Sequence, residues 1–307
     1  MKKTTIYRLD INEVERINDQ LKNLYGIEWF EDLITSEFEL RELSAPGDWN
    51  QWEKLLRQAG RQVEKYGEID AELENSCYDF QSKEGIRQFW YSQRRPWMLD
   101  TIVALISLIK TFQLEGTHLD IGCGIGSLSS LLMLNTSIKG YGIDRSKGTI
   151  AACRALDPTK QVQFESCDLL EYNPAMQFQL ITAIDLKQTN EKGFHEYVEQ
   201  ISERIASEGH LVMVGNFTQG FEENFFNTLG LEIQSWQRVG GLRIQNFDAL
   251  WDTKFFIHLK KVDSPISHDW EPDDAHGHQF ADYANGIGEY EERKTRAFFY
   301  ALHDHLC

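Results

Sequence analysis

Positive charge is in short supply in this chain. Against 48 Asp and Glu it carries 31 Lys and Arg, a net charge of −17 over 307 residues, so its global field repels nucleic acid and anionic membrane surfaces. Arg94-Arg95 is the only obvious basic patch that could override this locally, and nucleic acid is not expected as a partner. Long hydrophobic runs are missing too. The longest, Trp97 to Ile109, is interrupted by Asp100 and falls short of the roughly 20 residues that a membrane span needs. The opening Met-Lys-Lys-Thr-Thr-Ile-Tyr-Arg has basic residues with no apolar core behind them, so it does not read as a secretory signal. Cysteine is sparse. Cys77, Cys123, Cys153, Cys167 and Cys307 show no Cys-x-x-Cys spacing, which argues against a disulfide scaffold and a zinc ribbon, and a prenylation box at Cys307 is not expected. These absences lead to the expectation of a soluble, cytoplasmic protein without a membrane partner. Its length, at ~100–200 residues per domain, allows one large domain or one with appendages.

Glycine is present where it matters, in His118-Leu119-Asp120-Ile121-Gly122-Cys123-Gly124-Ile125-Gly126-Ser127. A short apolar run, Thr117 to Ile121, meets an acid and a glycine cluster and passes straight into the helical pattern Leu128, Leu131, Leu132. That is a strand, a tight turn and a helix N-terminus, where glycines let the backbone approach a ligand closely. Eighteen residues past Gly126, the run Lys139-Gly140-Tyr141-Gly142-Ile143-Asp144 gives a second short strand ending in another acid, placed to hydrogen-bond a ribose diol. The pair reads as a nucleoside-cofactor site; the bland alternative is a strand-to-helix turn that binds nothing.

From Thr117 onward strands and helices alternate. Ser146 to Leu156 reads as a helix, Val162 to Ser166 as a third strand leading to Cys167-Asp168, and Phe178 to Ile184 as a fourth ending at Asp185. An amphipathic helix follows from about Glu191 to Ala206, then a fifth strand, His210 to Val214, and its helix, Phe221 to Leu229. This rhythm predicts a parallel sheet with helices on both faces and a site at the carboxyl edge of the strands. Leu231–Val239 and Lys254–Val262 have no helical pattern between them and read as an antiparallel pair closing the sheet. The expected fold class is therefore α/β, a doubly wound, mostly parallel seven-stranded sheet. Upstream, Ile11, Val14, Ile17, Leu21 and Leu24 recur at helical spacing and more helical pattern follows, through a second stretch over 27–43 to Tyr66. The expected division is a helical N-terminal appendage over 1–75, a lid, linker and first core helix over 76–115, a core over 116–262 and an acidic extension over 263–307.

Two cofactor fingerprints compete for the glycine turn. The dinucleotide form, Gly-x-Gly-x-x-Gly, needs a third glycine where this chain has Ser127. The spacing Asp-x-Gly-x-Gly-x-Gly from Asp120 to Gly126 instead resembles motif I of the class I S-adenosylmethionine (AdoMet) methyltransferases, and the order of motifs over about residues 98–262 resembles that family as well. The resemblance implies AdoMet as cofactor and a Rossmann-like fold. By it, Asp120, Gly122, Cys123 and Gly124 frame the amino-acid end of the cofactor, and Asp144, with Arg145 beside it, serves the ribose. Asp168 contacts the adenine amine with Cys167 or Leu169 packing near it, and Asp185 lies under the cofactor. The aromatic segment before motif I folds over the site, bringing Tyr91 and Arg94.

Methyl transfer is a displacement at an already activated carbon, so the protein chiefly orients and desolvates a nucleophile, and a base is needed only if that nucleophile arrives protonated. The fourth strand runs into Asp185-Leu186-Lys187-Gln188, without the Asn/Asp-Pro-Pro-Tyr run of adenine and glutamine methyltransferases, and no Pro-Cys nucleophile for cytosine is present. The fifth strand ends Gly215-Asn216, one ligand short of the metal-dependent catechol type. Asp185, His195 and His268 are the candidate catalytic residues. Two His-x-His pairs in the tail, at His276/His278 and His303/His305, are the material for a metal site, but without a defined strand that spacing fixes no geometry, and no metal is expected. The expected activity is methylation of an O or N atom of a small molecule. The alternatives are a protein methyltransferase acting on a basic target, an NAD-type oxidoreductase, and a non-catalytic partner of the same fold; a homodimer is left open.

Overall fold

In the computed structural model of the chain, the described residues are 11–25, 96–185, 191–215, 223–239 and 254–263, with scattered helical residues between 54 and 79. In chain order the elements are α1 (Ile11–Tyr25), α2 (Pro96–Phe112), β1 (Thr117–Ile121), α3 (Ser127–Asn135), β2 (Lys139–Asp144), α4 (Lys147–Leu156) and β3 (Gln163–Ser166). They continue with β4 (Phe178–Ile184), α5 (Glu191–Arg204), β5 (Ile205–Gly215), α6 (Glu223–Thr228), β6 (Leu231–Val239) and β7 (Lys254–Lys261). All strands join one seven-stranded sheet in the order β3-β2-β1-β4-β5-β7-β6. The pairings among β1 to β5 are parallel, and β7 lies antiparallel between β5 and β6. This is the doubly wound arrangement the alternation predicts, with the antiparallel pair closing one side.

The strand order reverses between β1 and β4. The chain leaves β1 to build β2 and β3 on one side, then returns to lay β4 on the other, so the carboxyl ends of β1 and β4 mark the topological switch point, where sheets of this kind bind their ligands. Strands buried on both faces need apolar residues at successive positions, and β4 and β5 supply them. Leu180, Ile184, Val212, Val214 and Phe256 face a core shared with α1, α2 and α3, while Ile181, Ala183, Leu211, Met213 and Ile257 face a second core shared with α5 and α6.

Pro96 occupies the first position of α2, where its missing N–H costs nothing. From Thr101 to Ile106 every α2 side chain is buried. A helix apolar all round must be covered all round, and α1 provides part of the cover: Ile17 and Leu21 are fully buried in the same cluster. Polar contacts fix that docking, with Lys110 3.3 Å from Glu13 and Arg16 donating to Asn135 at 2.6 Å. The Arg16 guanidinium, with Lys110 beyond it, draws the Glu13 carboxyl down to about 2.

Several boundaries shift by a residue, and one shifts by more. The helix expected to reach Ala206 ends at Arg204, and the fifth strand begins at Ile205 rather than His210. Ile205 pairs with Phe178, and the register then shifts before Leu180 meets His210. Glu208, with φ 60°, and Gly209, where a Cβ would stand 2.8 Å from the Ala206 carbonyl oxygen, absorb the irregularity. Ser207-Glu208-Gly209 looks like a loop in sequence because those residues form the bulge. The helical stretch expected over 27–43, the aromatic segment 80–95 with Tyr91 and Arg94, and His268 lie outside the described residues. Among the described residues no helix is long and apolar enough to cross a membrane, and no group of three or more His, Cys, Asp or Glu could hold a metal ion.

Candidate functional site

The turn after β1 is built from three glycines in the left-handed region: Gly122 at φ 68°, Gly124 at 52° and Gly126 at 75°. Side chains disfavour that region, which explains the alternation of glycine with other residues here. Gly126 carries a second constraint, since a Cβ on it would overlap the Phe164 ring of β3, with the Cε1 atom at 2.7 Å. It thus gives the close packing that the dinucleotide form assigns to its third glycine, one residue earlier, and Ser127 can be the first residue of α3. Below the turn, the Cys153 thiol donates to the Gly124 carbonyl at 2.8 Å, and Cys123, Ile150, Cys153 and Phe164 form a small apolar cluster.

Asp144, at the end of β2, holds this turn. Its Oδ2 accepts the Gly124 N–H at 3.1 Å and its Oδ1 accepts the Ser146 N–H at 2.9 Å. Each carboxylate oxygen has a further lone pair, so two acceptor positions remain for hydroxyl groups. Burial raises the Asp144 pKa, against the two backbone donors that lower it. The backbone N–H groups of Gly122 and Cys123 bond to the Ile143 carbonyl at 2.9 and 3.0 Å, clamping the turn to β2.

Asp120 lies on the other side of the turn, 3% exposed. Desolvation raises its carboxyl to about 7, opposed by the hydrogen bond from Thr182. The Thr182 hydroxyl donates to Asp120 Oδ1 at 2.8 Å, and its oxygen lies 2.7 Å from His118 Nε2. With its own proton committed to Asp120, Thr182 can only accept from His118. The imidazole is therefore the Nε2–H tautomer, its Nδ1 without a partner among the described residues, and complete burial lowers its pKa to about 3.

Along the same edge, the Cys167 N–H donates to the Asp144 carbonyl at 3.0 Å and Arg145 Nε stands 4.0 Å from Asp168 Oδ2. Asp168 Oδ1 also accepts the Leu170 N–H at 2.9 Å. Leu169 packs in the second core, and burial raises the Cys167 thiol. Asp185 ends β4 with φ 51° and an exposed carboxylate, its N–H donating to the Val214 carbonyl at 2.7 Å. Lys254, opening β7, reaches Asp185 Oδ1 at 3.0 Å while only 14% of its side chain is exposed. His195, on α5, stacks on Phe225 of α6 with ring centroids 3.8 Å apart.

The structure thus brings Gly122, Cys123, Gly124, Asp144, Arg145, Cys167 and Asp168 to one edge, Asp120 beneath the same turn, and Asp185 to the carboxyl end of the neighbouring β4. Thr182, Phe164, Ser146 and Lys254 escape a reading of sequence, because only strand register places them here. The alternation of Leu180, Thr182 and Ile184 on one face of β4 is the signal that could have exposed Thr182, a polar residue among buried apolar ones.

The fold and the turn can be compared with known proteins. A family model described as a methyltransferase domain matches residues 119–209. No curated protein matches. Among solved structures, the chain is similar to the N-methyltransferase NodS from Bradyrhizobium japonicum, at 19% identity over 56% of this chain and 99% of that one, with a TM-score of 0.44. It is also similar to magnesium protoporphyrin IX methyltransferase (ChlM) from Synechocystis with bound AdoMet, at 14% identity over 84% of this chain and 100% of that one, with a TM-score of 0.41. The model match begins inside β1 and takes in the turn, both flanking strands and β4, so the part of this chain from residue 119 to residue 209 is similar to a methyltransferase domain.

Proposed function

We propose that this chain transfers the methyl group of AdoMet to an oxygen or nitrogen of a small molecule. The observation that carries the reading is the bond from Gly124 N–H to Asp144, which locks a left-handed glycine turn to a partly buried carboxylate at the topological switch point. The residues fit the donor: Asp144 retains acceptor positions for a diol, and a buried Asp120 held near neutrality would ionise beside an ammonium. AdoMet, when bound, supplies a methyl on a sulfonium and needs no activation by the protein. Asp168 and Cys167 are assigned to the adenine side, with Arg145 setting the Asp168 carboxylate by their ion pair. Tyr91 and Arg94 are retained as lid contributions, and His195 and His268 as candidate catalytic groups with Asp185. Asp185 is favoured among these, because its left-handed backbone aims an exposed carboxylate from a strand end and Lys254 fixes one of its oxygens, so that the other can orient an acceptor O–H or N–H.

A small partner is supported by the net charge of −17, which opposes nucleic acid, and by the length of chain outside the matched segment, enough to build an acceptor chamber. The thiol state of Cys123, Cys153 and Cys167 supports the cytoplasm as the compartment. Calorimetric titration with S-adenosylhomocysteine (AdoHcy), AdoMet and NAD tests the donor. Binding of the first two and not the third is expected, with Asp144→Ala weakening both by about tenfold or more, as loss of hydrogen bonds to a charged group does; NAD binding alone would overturn the reading. Radiolabelled methyl from AdoMet, incubated with cell extract, is expected in the low-molecular-mass fraction, and label only in basic proteins would move the substrate to the protein class. Light scattering at several concentrations decides between monomer and homodimer.

A further inference from the structure

Asp79 lies outside both the glycine motif and the segment that the family model matches, yet it is bonded to the helix start that follows Asp144. It belongs to a helical segment with Glu72, Leu73, Asn75, Ser76 and Cys77, in which Leu73 is buried and the Ser76 hydroxyl returns to the Glu72 carbonyl at 2.9 Å. Its Oδ1 accepts two hydrogen bonds from the start of α4, the Ser146 hydroxyl at 2.5 Å and the Gly148 N–H at 3.0 Å. Ser146 is also the N-cap of α4, its Oγ accepting the Thr149 N–H at 3.0 Å. The backbone N–H of the same serine donates to Asp144 Oδ1, and Asp144 Oδ2 accepts from Gly124. The result is one continuous chain of hydrogen bonds, from Asp79 through Ser146 and Asp144 to the glycine turn. An ordinary helix cap would need only Ser146; a second carboxylate brought from 67 residues away is an addition.

We infer that Asp79 is a positioning residue for the methyl donor, which couples docking of the segment around residues 72–79 to the orientation of Asp144. The inference rests on the reading of Asp144 as the group that holds the donor's ribose. The physical basis is direct. A carboxylate that must accept two hydroxyls has its oxygens fixed by the donors it already has, and the Ser146 N–H is one of those two. Asp79 sets where Ser146 sits by binding both its side chain and the next turn of backbone. Gly148 shows how close the approach is: a Cβ there would lie 3.1 Å from the Asp79 Cα and 3.1 Å from its Oδ1, so glycine is what permits this carboxylate to reach the helix. Coupling of this kind is reciprocal, and donor binding must therefore favour the docked segment by the same factor that docking favours the donor.

The experiment is calorimetric titration of AdoHcy into the full chain and its variants, with amide hydrogen exchange over residues 72–79. Asp79→Ala is expected to weaken AdoHcy about tenfold, and Asp79→Asn, which keeps an acceptor oxygen for both donors, to stay within about twofold of the wild type. Gly148→Ala guards against a trivial folding defect: it replaces a helical glycine with the best helix former, so α4 itself gains, while the new methyl presses on Asp79, which must give way by a few tenths of an ångström. It too is expected to weaken AdoHcy. In the wild type AdoHcy slows exchange over 72–79, and in Asp79→Ala it does not. AdoHcy binding by Asp79→Ala and Gly148→Ala at wild-type strength, or an exchange rate over 72–79 indifferent to AdoHcy in the wild type, overturns the coupling. A wild type that ignores AdoHcy altogether instead overturns the donor reading, so the two failures are distinct.

Discussion

Thr182 gives its hydroxyl proton to Asp120, and the carboxyl it supports titrates near 7 instead of near 4 because it lies in the core. Between those values the native state holds a proton that the unfolded chain has shed, so this group's contribution to stability is full below about pH 4 and is lost as pH rises through about 7. Asp120→Asn keeps an acceptor for Thr182 and removes the titration; its melting temperature is expected to exceed the wild type's at pH 8 and to match it at pH 4, by scanning calorimetry. The same substitution is expected to weaken AdoHcy, the signature of a group retained for binding at a cost in stability. Asp185 makes a similar case through its backbone. At φ 51° a glycine would be more comfortable, so Asp185→Gly is expected to leave the melting temperature unchanged or higher while methyl transfer falls by at least about tenfold in a labelled-AdoMet assay. How legible these residues are depends on where they stand. Asp144, Asp168 and Asp185 each close or follow an apolar strand, a pattern visible along the chain. Asp79, Thr182 and Lys254 act through partners more than 60 residues away, which no local pattern encodes.

Arg204 shows what holds elements to one another. At the last turn of α5 it is buried, yet its guanidinium is satisfied by carbonyl oxygens: Nε donates to Tyr172 at 3.0 Å, with further bonds to Tyr172, Leu169 and Gln200. The loop between β3 and β4 is thereby fastened to a helix on the second core, directly behind Cys167 and Asp168. Lysine has one ammonium and cannot copy a planar fork that reaches two loop carbonyls. Arg204→Lys is expected to cost about 2 kcal/mol, read as a lower urea midpoint at unchanged slope. Most elements are legible because their periods are clean: β1, β2 and β4 run between the residues where the apolar pattern starts and stops. β5 is the exception for a physical reason, since its first half is bulged and polar on one side, and Glu208 meets Lys260 of β7 in an ion pair that only the assembled sheet creates.

Three buried imidazoles set the response of the whole molecule to acid. Burial lowers His118 to about 3 and His210 to about 4, and it takes His258 well below its ordinary value. His210 Nδ1 and His258 Nε2 lie 2.7 Å apart with Phe112 against both rings, so one nitrogen donates, the other accepts, and neither ring can take a further proton without a buried cation. Lys260, close to both, opposes protonation; Glu208 favours it at His210. Each folded pKa lies below the unfolded value of 6.5, so the stability these groups confer is present above about pH 6.5 and is lost as pH falls toward 4. Asp120 works in the opposite sense over the same range, one group against three. The melting temperature is expected to fall from pH 6.5 to 4.5, even though acid reduces the charge of −17 and its self-repulsion. His258→Gln should flatten that slope. The sheet order has its own consequence for anyone trimming the chain. The segment recognised as a methyltransferase domain stops at residue 209, in the middle of β5, before the pairing from His210 to Val214 is made. Expressed by itself it would present β4 as a raw, apolar border, and copies would adhere along it into insoluble stacks instead of yielding a minimal enzyme.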